Sequence, residues 1–165
     1  GHDAKKYPMD KIMATAELAS MLEPDAVPRL VKAMGDSDSA VRYWGVMGIL
    51  MRERAGVQAA REALVKAMNE DASGSVRAIA AHAITQYASE ADVALALDTL
   101  VELASVEKNS VFVAMLAAIA LDEMGERARP AKERIAALPQ KPKGAPPRTG
   151  EYIGRLLQKL TTDMQ

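Results

Sequence analysis

Three stretches of the chain place apolar and small residues in the same order: AVRYWGVMGIL from Ala40, SVRAIAAHAIT from Ser75 and SVFVAMLAAIA from Ser110. Val41, Val76 and Val111 stand 35 residues apart, and Ile49, Ile84 and Ile119 keep that spacing. Gly48, Ala83 and Ala118 fill the column beside them. Residues three, four, seven and eight apart share one face of a helix, so the columns predict the same buried stripe on three successive helices. A second pattern precedes each stripe. Leu30-Val31-Lys32-Ala33-Met34 recurs as Leu64-Val65-Lys66-Ala67-Met68 and, more loosely, as Leu100-Val101-Glu102-Leu103-Ala104. The repeating unit is therefore helix, turn, helix, and units of that kind bury their apolar faces by stacking on one another.

The turns within each unit, Gly35-Asp36-Ser37-Asp38-Ser39 and the stretches 69–75 and 105–110, are rich in Gly, Ser, Asp and Asn, which cap the helix that follows. Gly56 and Gly125 are expected to end second helices in the left-handed conformation, and Pro28 and Pro130 to sit in first turns. Upstream, Asp10 to Leu22 predicts an amphipathic helix, with Ile12, Ala16 and Ala19 inward, Met13 and Leu22 as further inward candidates, and Pro24 as its stop. Downstream, Arg129 to Leu138 predicts another first helix. Four divisions follow: an N-terminal segment and capping helix (1–25), about three and a half helical pairs (26–138), a proline-rich basic linker (139–150), and a C-terminal capping helix (151–165). In the last of these Tyr152, Ile153, Leu156, Leu157 and Leu160 are expected to dock.

Composition agrees with helices, since 49% of the 165 residues are hydrophobic and only 4% aromatic, with Ala, Leu, Val and Met dominant. The 21 basic and 22 acidic residues are interspersed, leaving a net charge of −1 and none of the basic clustering that a phosphate backbone attracts. Nucleic acid is therefore not an expected partner. With no cysteine, disulfides, thiolate metal ligands and a Cys nucleophile are excluded. The longest apolar run, Val111 to Leu121, is too short to span a bilayer, so no membrane span is expected. The start at Gly1 rather than Met suggests a piece of a larger protein.

Asp36 and Asp38 before Val41-Arg42, and Asp71 before Val76-Arg77, resemble the HEAT repeat, including its phycobilisome-lyase-like subclass, over roughly Ala26 to Leu138. The third unit departs from that pattern, with Phe112 in place of the Arg. The resemblance implies an all-α, armadillo-like fold: a right-handed α-solenoid of HEAT-like helical pairs with a capping helix at each end, whose curved surface binds protein. A narrower likeness lies in Tyr7-Pro8, Ile12, Ala16 and Leu18-Ala19-Ser20, followed by the run Asp36 to Gly45. These resemble the C-terminal HEAT-like tail of bacterial sulfatases similar to N-sulfoglucosamine sulfohydrolase. That family's nucleophile motif, Cys or Ser followed by x-Pro-x-Arg, has no match here, nor have its metal-binding Asp and Asn motifs. The likeness thus implies a non-catalytic tail that holds no cofactor. Calcium and formylglycine would lie in an upstream domain that cleaves sulfate esters or N-sulfates, and that domain or a neighbouring subunit would be the partner. Such a protein would be periplasmic or secreted. The alternative is a free-standing cytoplasmic HEAT adaptor or lyase-like protein that binds other proteins.

Candidate chemistry is sparse. His82, in the column of Met47 and Ala117, has no partner at helical spacing and reads as a surface or groove residue. Asp36-Ser37-Asp38 begins like a calcium loop, but Val41 stands where that loop needs Gly and no Glu closes it, so capping is the expected role. Arg42 and Arg77 follow these acids, which predicts a ladder of Asp36, Asp38, Arg42, Asp71 and Arg77 joining one unit to the next; carboxylate or sulfate recognition is the other reading. Tyr43 and Trp44 project about 100° apart on one helix. One is expected in the core and one at an interface. Tyr43, Met47 and Leu50 form a stripe on the expected concave side. With Trp44 and His82 it is the leading contact surface, and ordinary packing between units is the rival.

Overall fold

The computed structural model describes residues 7–139 and 147–164, and every regular element among them is helical. In chain order these are α1 (Met9–Ser20), α2 (Val27–Ala33), α3 (Ser39–Leu50), α4 (Glu53–Ala59), α5 (Arg61–Glu70), α6 (Gly74–Tyr87), α7 (Glu90–Leu103), α8 (Val111–Met124), α9 (Lys132–Ala136) and α10 (Pro147–Asp163). Short 3₁₀ turns at Pro24–Ala26 and Gly125–Ala131 precede α2 and α9. No described helix is long and apolar enough to cross a membrane.

Helices α1, α3, α6, α8 and α10 pack one on the next, forming a continuous row of second helices. First helices α2, α5 and α7 lie against α3, α6 and α8. The result is an all-α, HEAT-like solenoid. Its aliphatic columns explain the stacking: Val41, Val76, Ile49 and Ile84 are buried, and so are Ala83 and Ala118. Val111 and Ile119 of the third unit are only partly buried. Helix α10 packs against both α8 and α9; it inserts Ile153, Leu157 and Leu160 into the core, followed by Met164 just past its end, whereas Tyr152, expected to dock with them, is 47% exposed.

Close approach of helices depends on two glycines of α3. A Cβ at Gly45 would stand 2.9 Å from both the Leu30 carbonyl oxygen and the Met34 nitrogen, and one at Gly48 would stand 2.6 Å from Leu30 Cδ2. The turns supply the caps expected of them. Asp38 accepts from the Ala40 and Val41 amides, Ser89 from Asp92 and Ser110 from Val113.

Several boundaries differ from expectation. Met13 and Leu22 point outward, at 61% and 50% exposure; Leu22 itself ends α1 with φ 57° and is not a core residue. Gly125 takes the expected positive φ of 54°, but Gly56 does not end α3. An additional helix, α4, is inserted after α3; Glu53 makes the left-handed step (φ 51°), and Gly56 lies buried in α4, where a Cβ would meet the Ile49 carbonyl oxygen at 2.7 Å. Pro28 occupies the first turn of α2, whereas Pro130 lies inside the 3₁₀ segment, so the helix expected from Arg129 shrinks to α9. Helix α10 starts at Pro147, ahead of the expected boundary at 151. Residues 140–146 of the expected linker, and His2, lie outside the described residues.

Candidate protein-interaction face

Each pair is tied to the next at the edge where its turns lie. Arg42, one residue into the buried stripe of α3, reaches the turn before α6 and donates from Nε to Asp71 Oδ2 (2.7 Å) and from Nη2 to Asp71 Oδ1 (2.9 Å). Its Nη1 donates to the carbonyls of Asp36 and Ser37, 3.0 Å each. Burial alone would raise the Asp71 carboxyl, but the Arg42 guanidinium and the Ser73 amide hold it below its ordinary range. Asp36 is lowered too, chiefly by its contact with Lys11 and then by the Asp38 amide. Arg77 departs from the expected ladder. It donates to the Met68 carbonyl (2.9 Å) and stands 3.6 Å from Glu102, because Val106, one period after Asp71, offers no carboxylate. Phe112, which follows in the same column, is 71% exposed.

Further ties were not legible in the repeat pattern. Arg61 of α5 holds Asp92 at the start of α7 by two hydrogen bonds of 2.7 and 2.6 Å. Val57 stands one period before Asp92 and Ala96 one period after Arg61, so neither charge recurs in its column and aligning the units does not reveal the pair. Arg52 gathers the carbonyls of Leu18, Ala19, Glu23 and Gly48 at 2.8 to 3.2 Å, where α1 and α3 end. A guanidinium there satisfies carbonyls that have no helical partner and opposes the negative ends of two helix dipoles. Arg127 repeats the device, donating to the Thr85 carbonyl at 2.6 Å. Among the described residues no buried side-chain nitrogen or oxygen lacks a partner. These arginines are consumed by structure.

The second-helix row bears the remaining candidates. Tyr43 and Trp44 are both partly buried, and their rings meet edge to face, with centroids 6.2 Å apart and planes at 88°. The expected division into one core and one interface ring is thus replaced by a pair that shares both settings. Desolvation raises the Tyr43 phenol above its ordinary pKa. Met47 and Leu50 pack against the same core from the same helix, also partly exposed. Farther along the row, His82 Nε2 lies 2.7 Å from Glu123 Oε2, joining α6 to α8, and Gln86 Nε2 reaches the same carboxylate at 3.4 Å. Glu123 lies 41 residues from His82, on another helix, and so does not show at helical spacing. The stripe offers shape and apolar area: four large side chains in one patch of α3, continued by a polar pair on α6 and α8.

Residues 4–85 match the protein-family model described as HEAT repeats, a span that takes in α1 as well as the first two helical pairs. No curated protein sequence matches the chain.

Proposed function

From a chain whose first half carries HEAT repeats, we propose a non-catalytic scaffold that holds another protein against its second-helix row, as the helical tail of a larger bacterial sulfatase. The observation that carries the binding role is the patch of Tyr43, Trp44, Met47 and Leu50. Large side chains are left partly open on a helix whose neighbours α1 and α6 already bury its flanks, and Tyr, Trp and Met are the types enriched where proteins meet. The sulfatase reading rests on the likeness of Tyr7-Pro8, Leu18-Ala19-Ser20 and Asp36 to Gly45 to that family's tail. Its partner would be the upstream catalytic domain, or that domain in a neighbouring subunit, and the hydrolysis of sulfate esters or N-sulfates would belong to that domain.

Calcium and formylglycine belong to the same upstream domain in this reading. The acids of this chain that most resemble calcium ligands are otherwise engaged: Asp38 Oδ1 accepts two backbone amides, and Asp36 accepts the Asp38 amide and pairs with Lys11.

The test begins with the intact mass of the natural protein, set against the 17.7 kDa of this chain, and a calcium-dependent sulfatase assay. A much larger mass with that activity is the expected result. A mass close to 17.7 kDa would end the sulfatase reading in favour of a free-standing HEAT adaptor. The binding role is tested separately with Met47→Glu, which is expected to abolish association with the separately expressed catalytic domain; unchanged association would refute the stripe as the contact.

A further inference from the structure

Between α2 and α4 the surface opens into a cleft of about 650 Å³. The inserted helix accounts for it: α5 packs against α7, but α2 has no comparable packing against α4 or α5. Val27, Pro28 and Val31 line one wall, and Met51, Ala55 and Ala59 the other. Leu22, half-exposed, lines it too and places it at the C-terminal end of α1, about 18 Å of helix away from Met9. Every lining residue falls between 22 and 59 and is described, so both walls are complete. The lining holds one ionisable side chain, Arg52, and its guanidinium donates to four carbonyls and opposes the C-terminal ends of α1 and α3. No unbalanced charge therefore faces the cleft. Backbone strain gathers here as well. The two non-glycine residues with positive φ among the described residues are Leu22, in the lining, and Glu53, which begins α4. Such strain persists where the surroundings impose it, and ligand clamps are one such place.

We infer that this cleft binds a neutral, apolar small molecule with a compact aromatic or aliphatic body. Sites for small ligands run from about 300 to 1,000 Å³ and are concave, mostly apolar and furnished with few polar groups, and the cleft has that size and that lining. Charge sets the class of ligand. An anion would gain nothing from Arg52, whose fork is spent on carbonyls, and a cation would meet no carboxylate in the lining, so either would lose its hydration without a partner. An extended peptide needs backbone partners, and Pro24 and Pro28 on one side offer no N–H. Ala55 and Ala59 leave room for a ring or a short chain, while Met51, unbranched and polarisable, can close on either. A ligand seated there would bridge α2 to α4 and supply the packing that these helices lack. Neither helix belongs to the second-helix row, so the site stands independently of the patch around Tyr43 and Met47.

The probe is 2-naphthol, uncharged at neutral pH, with the anion 2-naphthoate, built on the same rings, as control, each titrated into the full chain with ¹³C-labelled methionine methyls. The Met51 resonance is expected to move saturably with 2-naphthol and to respond about tenfold more weakly to the anion, while Met47 stays still. Ala55→Trp and Ala59→Leu fill the cleft from exposed positions, so each should abolish the response with helical circular dichroism unchanged. Leu22→Gly removes a lining side chain and relieves a left-handed residue. It should weaken 2-naphthol binding about fivefold while raising the melting temperature, whereas a purely structural role would move the melting temperature alone. Shifts centred on Met47 or Met34, equal response to both probes, absence of saturation, or unchanged binding in both filled variants would each overturn the proposal. So would a dimer in sedimentation that Ala59→Arg dissolves, because a second copy would then occupy the cleft.

Discussion

Arg42 and Asp71 form a two-point hydrogen-bonded pair, 2.7 and 2.9 Å long, that fastens the second helix of one repeat to the turn of the next. Only 7% of the Asp71 side chain is exposed. The same carboxylate accepts the Ser73 amide at 2.7 Å, while Arg42 also closes the turn at Asp36 and Ser37. One charge pair therefore sets two turns. Asp71→Asn preserves shape but leaves the guanidinium beside a neutral amide that matches only part of its fork. We expect a loss of about 2 kcal/mol, the usual scale for breaking one partner of a mostly buried, charge-assisted pair. Denaturant unfolding at neutral pH, with the slope unchanged, measures it.

Acid should weaken the molecule through the same groups. Asp36, Asp71 and Asp92 all have carboxyls held below their ordinary range; for Asp92 the main cause is Arg61, opposed by burial and aided by Ser89. A group whose folded pKa is depressed contributes stability above its unfolded value and loses it as pH falls through the folded one. Melting temperature is therefore expected to hold from neutrality to about pH 5 and to drop progressively below about pH 4, where the unfolded chain takes up protons first. In Asp71→Asn the drop should be shallower.

At Arg52 a lysine is not an adequate substitute. Its fork reaches three carbonyls from two helix ends and that of Glu23 in the connection after α1, a geometry that a single ammonium group cannot copy. Arg52→Lys is expected to lower stability by about 1 kcal/mol and Arg52→Ala by about 2 or more. The loss should appear first as faster amide exchange in the last turn of α1, read by hydrogen exchange.

Gly45→Ala is expected to destabilise although alanine is the better helix former by about 1 kcal/mol. The added methyl would meet backbone atoms of Leu30 and Met34 at 2.9 Å, and backbone cannot rotate away. Separation of α2 from α3 should cost about 2 kcal/mol net, measured by thermal melting.

Leu22→Gly should move the other way. Leu22 is half-exposed and left-handed at φ 57°, just past the C-cap of α1. Glycine takes that conformation without steric penalty, so a gain of about 0.5–1 kcal/mol is expected in the same melts.

The repeating columns alone determined the fold class, because buried helical faces must recur at the repeat period. Val41, Val76, Ile49 and Ile84 occupy the core that the columns predict, and Asp38 and Ser110 cap the helices they precede. The first rung of the ladder was legible for the same reason: Asp71 stands one period after Asp36, so Arg42 meets in the next repeat the acid that precedes it in its own. What does not follow the period was decided by tertiary structure. Helix α4 interrupts the second unit, so the left-handed step falls on Glu53 and Gly56 serves packing instead of termination. Arg61 meets Asp92, and His82 meets Glu123, only because neighbouring helices bring residues at irregular separations together. Outward Met13 and Leu22 look like core residues in an apolar pattern. Hydrophobicity specifies which residues gain by burial, but whether one is buried depends on which neighbour stands across from it, and α1, at the end of the row, has one side with none among the described elements.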